Sequence, residues 1–180
     1  LNNTVLNSDQ LAQFLIQNLP ASVERDQLRD SYNKIESTIA LFHSLMQPIL
    51  DQENQVMAQM SPFRARRADA SSAFFAARAP INSAANTHQS PTQAQIDAFN
   101  AAQAEMNAAM AAIQPYTDQM TALNNQMQKI WSDHPEFLVK GKSITDESVI
   151  SDLCNQALNQ AALDMPSDLM SIVQSAMQTD

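Results

Sequence analysis

The chain has 180 residues, of which 19 are acidic and 10 are basic, and its formal net charge is −9 at pH 7. This charge disfavours general attraction to the phosphates of nucleic acid, so we expect no nucleic-acid partner. A single glycine excludes the glycine-rich loops that bind phosphates and dinucleotides, and a single cysteine excludes an intramolecular disulfide framework. Because the rest of the chain is crowded with Ala, Gln, Met and Leu, the composition predicts an all-α fold that depends on packing alone.

The sequence contains no recognisable targeting segment. No run of about 18 apolar residues predicts a membrane-spanning helix, and residues 1–7 lack the positive and apolar regions of a signal peptide. The chain begins with Leu1 rather than Met, so we expect a processed protein or a fragment.

Two helices are predicted in the first half of the chain. Ser8 is the expected N-cap of a short helix that ends at Pro20, and Ser22 is the expected N-cap of a long one. The long helix carries an apolar stripe that repeats about every 3.5 residues, which is typical of a helix packed against another helix. Glu53 and Arg67 interrupt this stripe. Its apolar members are Leu28, Tyr32, Ile35, Ile39, Phe42, Met46, Ile49, Val56, Met60, Phe63, Ala70, Phe74 and Ala77.

Prolines decide between two architectures. Pro48, Pro62 and Pro115 lie inside apolar repeats that continue on both sides of each proline, so we expect each proline to kink a helix rather than end it. The repeats then predict a long antiparallel helical hairpin, in which the numbers of facing residues sum to about 171. If the prolines are corners instead, the chain forms a compact up-down helical bundle.

Residues 80–91 are rich in Pro, Asn and Ser, and they predict the loop at the tip of the hairpin. Thr92 is the expected cap of the second long helix, which should end near His134 and Pro135. The stripe of this helix has eight apolar members and three polar interruptions. The members are Ile96, Phe99, Met106, Met110, Ile113, Met120, Met127 and Trp131, and the interruptions are Gln103, Thr117 and Asn124.

Short helices are predicted after the hairpin. Ser143 or Thr145 is expected to open one helix, and Pro166 precedes a last one. With the first helix, they are expected to cover the start of the long stripe around Leu28. The expected apolar positions of the two helices are Ile150, Leu153, Cys154, Ala157, Leu158, Ala161, Leu169, Met170, Val173 and Met177.

These elements predict a single all-helical domain over residues 1–180. Its base is a bundle of residues 1–38 and 135–180, and residues 39–134 form a hairpin arm. An apolar stripe that the arm itself leaves uncovered would favour a homodimer.

No catalytic, metal or cofactor site is predicted. The three histidines, His43, His88 and His134, are far apart, and none has the spacing of a zinc-ligand pair. Cys154 falls at an apolar helical position, as a core thiol does. Paired carboxylates occur only at ordinary surface spacing, so we expect a protein without a cofactor or enzymatic activity.

Four of the ten basic residues lie between Arg64 and Arg78, among three phenylalanines, and we call residues 63–78 the Arg/Phe segment. One interpretation is a contact surface for an acidic protein partner or for an anionic membrane. The plain interpretation is that Phe63 and Phe74 belong to the core and the arginines are merely exposed. The candidate partner-binding residues are Phe63, Arg64, Arg66, Arg67, Phe75 and Arg78.

In its low glycine content, its many Ala, Gln and Asn residues and its long predicted helices, the chain resembles bacterial secreted effectors and secretion-apparatus proteins. This resemblance implies a secreted bacterial protein, and it carries over no functional residues. We therefore predict a non-enzymatic helical protein-interaction module. The alternative is a membrane-surface or secretion-apparatus-linked helical protein that contacts anionic lipid through the Arg/Phe segment.

Overall fold

A computed structural model describes residues 6–161 of the chain, and this part is an all-α helical hairpin with two shorter helices. The long helices α2 and α3 pack against each other, which confirms the predicted fold class. The helix predicted after Pro166 lies outside the described residues. The elements are α1 (Ser8–Asn18), α2 (Val23–Asn86), α3 (Gln93–Asp133), a single 3₁₀ turn (Pro135–Phe137), β1 (Leu138–Val139), β2 (Lys142–Ser143) and α4 (Glu147–Ala161).

The described residues form two compact units. The terminal unit contains residues 6–45 and 131–161, and the hairpin unit contains Met46–Ile130. Both long helices contribute residues to both units.

The predicted stripe of α2 is confirmed. Every apolar member of the stripe is buried or half-buried, and Arg67 is the one stripe position that is exposed. This agreement shows that the 3.5-residue repeat found in the sequence is the packing face of the helix.

The prolines do not end the helices. Pro48 and Pro62 lie inside α2, and Pro115 lies inside α3. The predicted loop over residues 80–91 starts too early, because α2 also continues through Pro80 as far as Asn86. The physical reason is that the apolar stripe continues: Ile81 and Ala84 are half-buried one and two helical turns after Ala77. Their packing offsets the roughly 3 kcal/mol that a proline costs inside a helix.

The connection between the long helices is short and well capped. At the end of α2, the amide of Gln89 donates to the carbonyl of Ala84 and the amide of His88 donates to that of Ala85. These two bonds form a Schellman motif, and His88 occupies its left-handed position with φ of 55°. Thr92 then caps α3 as predicted, because its hydroxyl accepts from the amide of Gln95 at 3.2 Å.

Seven of the eight apolar positions predicted for the stripe of α3 are buried or half-buried, whereas Met110 and the three polar interruptions are exposed. Met110 is 50% exposed, whereas its neighbour Ala109 is fully buried. In the same way Tyr116 and Leu123 take the inward positions that were assigned to Thr117 and Asn124. At each polar interruption, the residue immediately before it in the chain faces inward instead, so the observed stripe has no polar interruptions. A heptad stripe alternates steps of three and four, and the sequence alone left open which alternate residue faces inward.

The hairpin unit is held by apolar and aromatic pairs across the two helices. Ile49, Val56 and Leu123 form a buried cluster, and further buried residues follow along the two helices: Met46, Met60, Ala70, Ala109 and Ile113. Ring pairs extend the contact along the helices: Phe63 with Tyr116 and Phe74 with Phe99, each with ring centroids 5.3 Å apart. The numbers of the contacting residues sum to 171 for Arg66 and Glu105, to 173 for Phe74 and Phe99 and to 179 for Phe63 and Tyr116. The predicted antiparallel direction is therefore right, and the register runs up to eight residues above the predicted sum of about 171.

The terminal unit packs α1 and α4 around the first turns of α2. Asn7, rather than the predicted Ser8, caps α1, in a capping box with Gln10. Asp146, rather than Ser143 or Thr145, caps α4, because its carboxylate accepts from the Ser148 amide at 2.9 Å. The core of this unit consists of Leu11, Ala12, Leu15, Leu19, Leu28, Tyr32, Ile150, Cys154 and Ala157.

The segment between α3 and α4 adds a second apolar anchor to the terminal unit. Phe137 is fully buried, and its ring lies edge-on to Phe42 at 5.2 Å and to Trp131 at 6.2 Å. The two-residue turn between β1 and β2 uses Lys140 (φ 50°) and Gly141 (φ 80°), as the favoured type I′ hairpin turn requires. The single glycine of the chain therefore lies where a positive φ is needed.

The corrected stripe of α3 gives a stability test. Leu123→Ala should lower the free energy of unfolding by about 2–5 kcal/mol, because it leaves a cavity in the core of the hairpin unit. Met110→Ala should change it by less than about 0.5 kcal/mol, because the Met110 side chain is half exposed. Urea unfolding monitored by circular dichroism measures both; equal losses would contradict the corrected stripe.

Candidate functional site

The structure does not bring the six candidate residues of the Arg/Phe segment onto one surface. Phe63 is half-buried and packs on Tyr116, so it belongs to the core contact between the helices. Arg66 is engaged by Glu105. The other four candidates are exposed, and the three arginines among them form no ion pair within residues 6–161. They are Arg64, Arg67, Phe75 and Arg78.

Helix geometry divides the surface of the hairpin unit into two flanks, one on each side of the apolar seam. Residues seven apart on a helix differ by only about 20° in direction and therefore lie in one row. Arg66 of α2 contacts Glu105 of α3. The α2 row that contains Arg66 and the α3 row that contains Glu105 therefore lie on the same side of the seam. We call this side the closed flank, because a bond spans it.

The bond across the closed flank is bidentate. Arg66 Nε donates to Glu105 Oε1 at 2.8 Å, and Arg66 Nη2 donates to Glu105 Oε2 at 3.1 Å. The guanidinium hydrogen bond lowers the pKa of Glu105 below its ordinary value. Beside the pair lies a shallow groove of about 550 Å³, lined mainly by small side chains. Its lining residues are Pro62, Ala65, Arg66, Asp69, Ala70, Ala73 and Glu105.

The opposite side, which we call the open flank, carries no such bond. On α2 it is a row at seven-residue spacing, and on α3 it is the row that contains Met110. Arg67 and Phe75 border the α2 row. The α2 row is Leu50, Met57, Arg64, Ser71 and Arg78, and the α3 row is Gln103, Met110, Thr117 and Asn124.

The open flank combines exposed apolar side chains with unpaired arginines. All four large apolar side chains that are exposed in the hairpin unit lie here: Leu50 at 42%, Met57 at 46%, Met110 at 50% and Phe75 at 62%. Neither row contains an acidic residue, and Glu53, which has the same heptad position as Arg67, is the one carboxylate that borders the α2 row, beside Leu50 and Met57. The open flank is therefore apolar along part of its length and basic along the rest.

Charge is distributed unevenly along the chain. Residues 46–130 contain six acidic and five basic residues, a net charge of −1, whereas the rest of the chain contains thirteen and five, a net charge of −8. Four of the five basic residues in residues 46–130 lie in the Arg/Phe segment, which contains a single acidic residue, Asp69. In this acidic chain, the largest positive cluster therefore lies beside the exposed apolar side chains of the hairpin unit.

Sequence reasoning found the arginines and Phe75 but missed the apolar half of the open flank. Leu50 and Met57 precede Arg64 by two heptads and one heptad, so the seven-residue spacing was available in the sequence. Met110 was missed because it was assigned to the buried stripe.

A second cluster of polar groups lies in the terminal unit, around a cleft of about 300 Å³. Four carboxylates line it, those of Asp9, Glu36, Asp146 and Glu147, and His43 is its one basic lining residue. Partial burial raises the pKa of Glu36, and a hydrogen bond with Asp9 raises it further. The carboxylate of Asp9 also accepts a hydrogen bond from the Tyr32 hydroxyl at 3.3 Å.

These titratable groups do not assemble a metal centre. Within residues 6–161, no three His, Cys, Asp or Glu side chains lie close enough together to hold a metal ion. The ring of His134 contacts Glu136 through Nδ1 at 2.7 Å and stacks on Phe137. Cys154 is fully buried, and burial raises the pKa of its thiol to about 11.

Comparison of the chain with protein-family models, with curated proteins and with solved structures found no match. None of the helices within residues 6–161 is both long enough and apolar enough to span a membrane.

Two glutamates of the terminal unit should affect stability in opposite directions. The pKa of Glu36 is raised, so its ionised form destabilises the fold once the pH rises above its ordinary value of 4.5. A hydrogen bond from His134 lowers the pKa of Glu136, so its ionised form stabilises the fold until the pH falls below that lowered value. At pH 7, Glu36→Gln should raise the Tm and Glu136→Gln should lower it. Both differences should shrink in thermal melts at about pH 3.5, and melting temperatures that shift in the same direction at pH 7 would contradict the assignment.

The Cys154 thiol should be unreactive in the folded protein. It is buried, and with a pKa of about 11 it is almost entirely protonated at pH 8. An aromatic disulfide reagent should release no thiolate signal from the native protein at pH 8 and one equivalent in urea. Ser72→Cys, at an exposed position of α2, should add one equivalent under native conditions. Fast reaction of the native wild-type protein would show that the thiol is accessible.

Proposed function

We propose that this protein is a non-enzymatic helical interaction module that binds an acidic protein partner through the open flank. The observation that carries the proposal is the coincidence of two features on one side of the hairpin unit. Every large apolar side chain that the unit exposes lies there, together with three arginines that lack an ion pair within the described chain. A secreted bacterial origin belongs to the same proposal, and it rests on the composition of the chain.

The residue types support a protein interface. Met, Arg and aromatic side chains are enriched at such interfaces, and arginines that are unpaired in the free protein give an acidic partner its attraction and its orientation. Exposed apolar side chains that cluster on one face, rather than being scattered singly, mark interaction sites. Arg66, by contrast, already has its carboxylate partner and should contribute little to binding.

Contact with an anionic membrane is the competing explanation, since arginines and exposed apolar side chains also suit a lipid surface. Charge weighs against it. The hairpin unit has a net charge of −1 and the chain as a whole −9, so the molecule would approach an anionic bilayer against a repulsive field.

Selection from a displayed peptide library tests the proposal. Wild-type protein is the bait, and the recovered peptides are measured against Arg64→Glu/Arg67→Glu. We expect peptides enriched in Asp and Glu that lose at least about tenfold in affinity to this variant, since two attractive contacts become repulsive.

Lys34→Glu/Lys140→Glu is the matched control, because it makes the same charge change at two exposed lysines of the terminal unit. It should leave peptide affinity within about twofold. Equal losses in both variants would show a general charge effect and contradict the assigned surface. Flotation of wild-type protein, but not Arg64→Glu/Arg67→Glu, with vesicles containing phosphatidylglycerol would favour the membrane explanation over a protein partner.

A further inference from the structure

We infer that the partner of the open flank is an amphipathic α-helix, with its acidic residues gathered in one half, that lies lengthwise between the α2 and α3 rows. This inference rests on the proposed function and adds the shape and charge pattern of the ligand. It follows from the spacing of the two rows and from the order of side chains along them.

Two helices packed side by side leave a trough along each side of their seam, and on the open flank this trough is bordered by rows with heptad spacing. Along the trough Met57 faces Thr117, Arg64 faces Met110 and Ser71 faces Gln103, with residue numbers that sum to about 174 in each case. A third helix packs into such a trough when its own apolar side chains repeat every seven residues, as in a three-helix coiled coil. A strand or an irregular peptide has no seven-residue period to match.

The trough sets the length of the ligand. Leu50 and Arg78 are 28 residues apart in one helix, which corresponds to about 42 Å. A helix of about 28 residues therefore covers both rows. Such a helix makes four heptad layers of contact.

The order of side chains sets its charge pattern. The Leu50 and Met57 end of the trough faces Asn124 and Thr117 and carries no charge in either row, whereas all of its arginines lie from Arg64 onward. A complementary helix therefore has apolar and uncharged residues in one half and acidic residues in the other. A helix with evenly spread acids would place carboxylates against Leu50 and Met57, where they would lose water without gaining a cation.

A second copy of this chain fits the open flank poorly. In a two-fold dimer formed through this flank, the two copies would bring six arginines to one interface, Arg64, Arg67 and Arg78 from each, against two carboxylates, Glu53 from each. The closed flank does not supply the missing charge, because Glu105 is already bonded to Arg66.

Three synthetic helical peptides of about 28 residues and identical heptad seams test the inference. The first gathers its glutamates in one half, the second has the same composition with the glutamates spread evenly, and the third is the first with a central proline. Fluorescence anisotropy measures affinity, and circular dichroism measures the helix gained on mixing. We expect the first peptide to bind most tightly with a gain in helix, and the other two to bind at least about tenfold more weakly.

Variants of the protein locate the bound peptide. Met57→Gln/Met110→Gln should weaken binding of the first peptide about tenfold, because both side chains line the trough. Gln59→Ala/Gln119→Ala changes exposed positions in the two rows of the closed flank and should leave binding unchanged. Equal binding of the intact and proline peptides, equal binding of the gathered and spread peptides, or an equal effect of the two variants would overturn the inference. Sedimentation gives a further test. If the wild-type protein forms a dimer that Arg64→Glu/Arg67→Glu strengthens, the open flank is a dimer interface and the inference is overturned.

Failure of this inference is distinguishable from failure of the proposed function. If Arg64→Glu/Arg67→Glu abolishes binding of the acidic library peptides but none of the helical peptides binds, the interaction surface stands and the helical ligand is wrong. If that variant binds the library peptides as well as the wild type does, the proposed function fails and the helical ligand fails with it.

Discussion

The apolar seam between α2 and α3 is the constraint on which the rest of the hairpin unit depends. Each large side chain that it buries contributes about 1.5–3 kcal/mol, and helices as long as these gain most of their stability from such packing rather than from intrinsic propensity. The seam explains why Pro48, Pro62 and Pro80 are tolerated inside α2, since each removes one backbone bond while the apolar contacts continue on both sides. It also fixes the direction in which every other side chain of the two helices points.

Because the seam fixes those directions, the two flanks of the hairpin unit acquire different properties. The Arg66–Glu105 bond satisfies the charges of the closed flank. On the open flank, Leu50, Met57 and Met110 remain exposed and Arg64 has no ion pair in the described chain. A side of the molecule that is neither charge-satisfied nor covered is where an acidic, partly apolar ligand gains most free energy, and this asymmetry underlies both proposals.

The terminal unit differs in how it is held together. Its core gathers side chains from three separate helices, whereas the hairpin unit relies on a single two-helix seam. It also contains most of the negative charge of the chain and the carboxylate cleft around Asp9 and Glu36. Cys154 is buried in its core, and the raised pKa of Glu36 and the lowered pKa of Glu136 make the stability of this unit depend on pH.

The sequence by itself determined the long helices, the stripe of α2, the antiparallel direction of the hairpin and the caps at Ser22 and Thr92, whose hydroxyls accept from the amides of Arg25 and Gln95. All of these follow from local spacing and backbone chemistry. The sequence also marked the Arg/Phe segment by its density of charge. The tertiary structure alone decided that Ala109, not Met110, faces inward, since a heptad permits either choice until a second helix is present. It also decided that Arg66 is paired while Arg64 is not, because an ion pair between residues 39 apart depends on packing that no local pattern encodes.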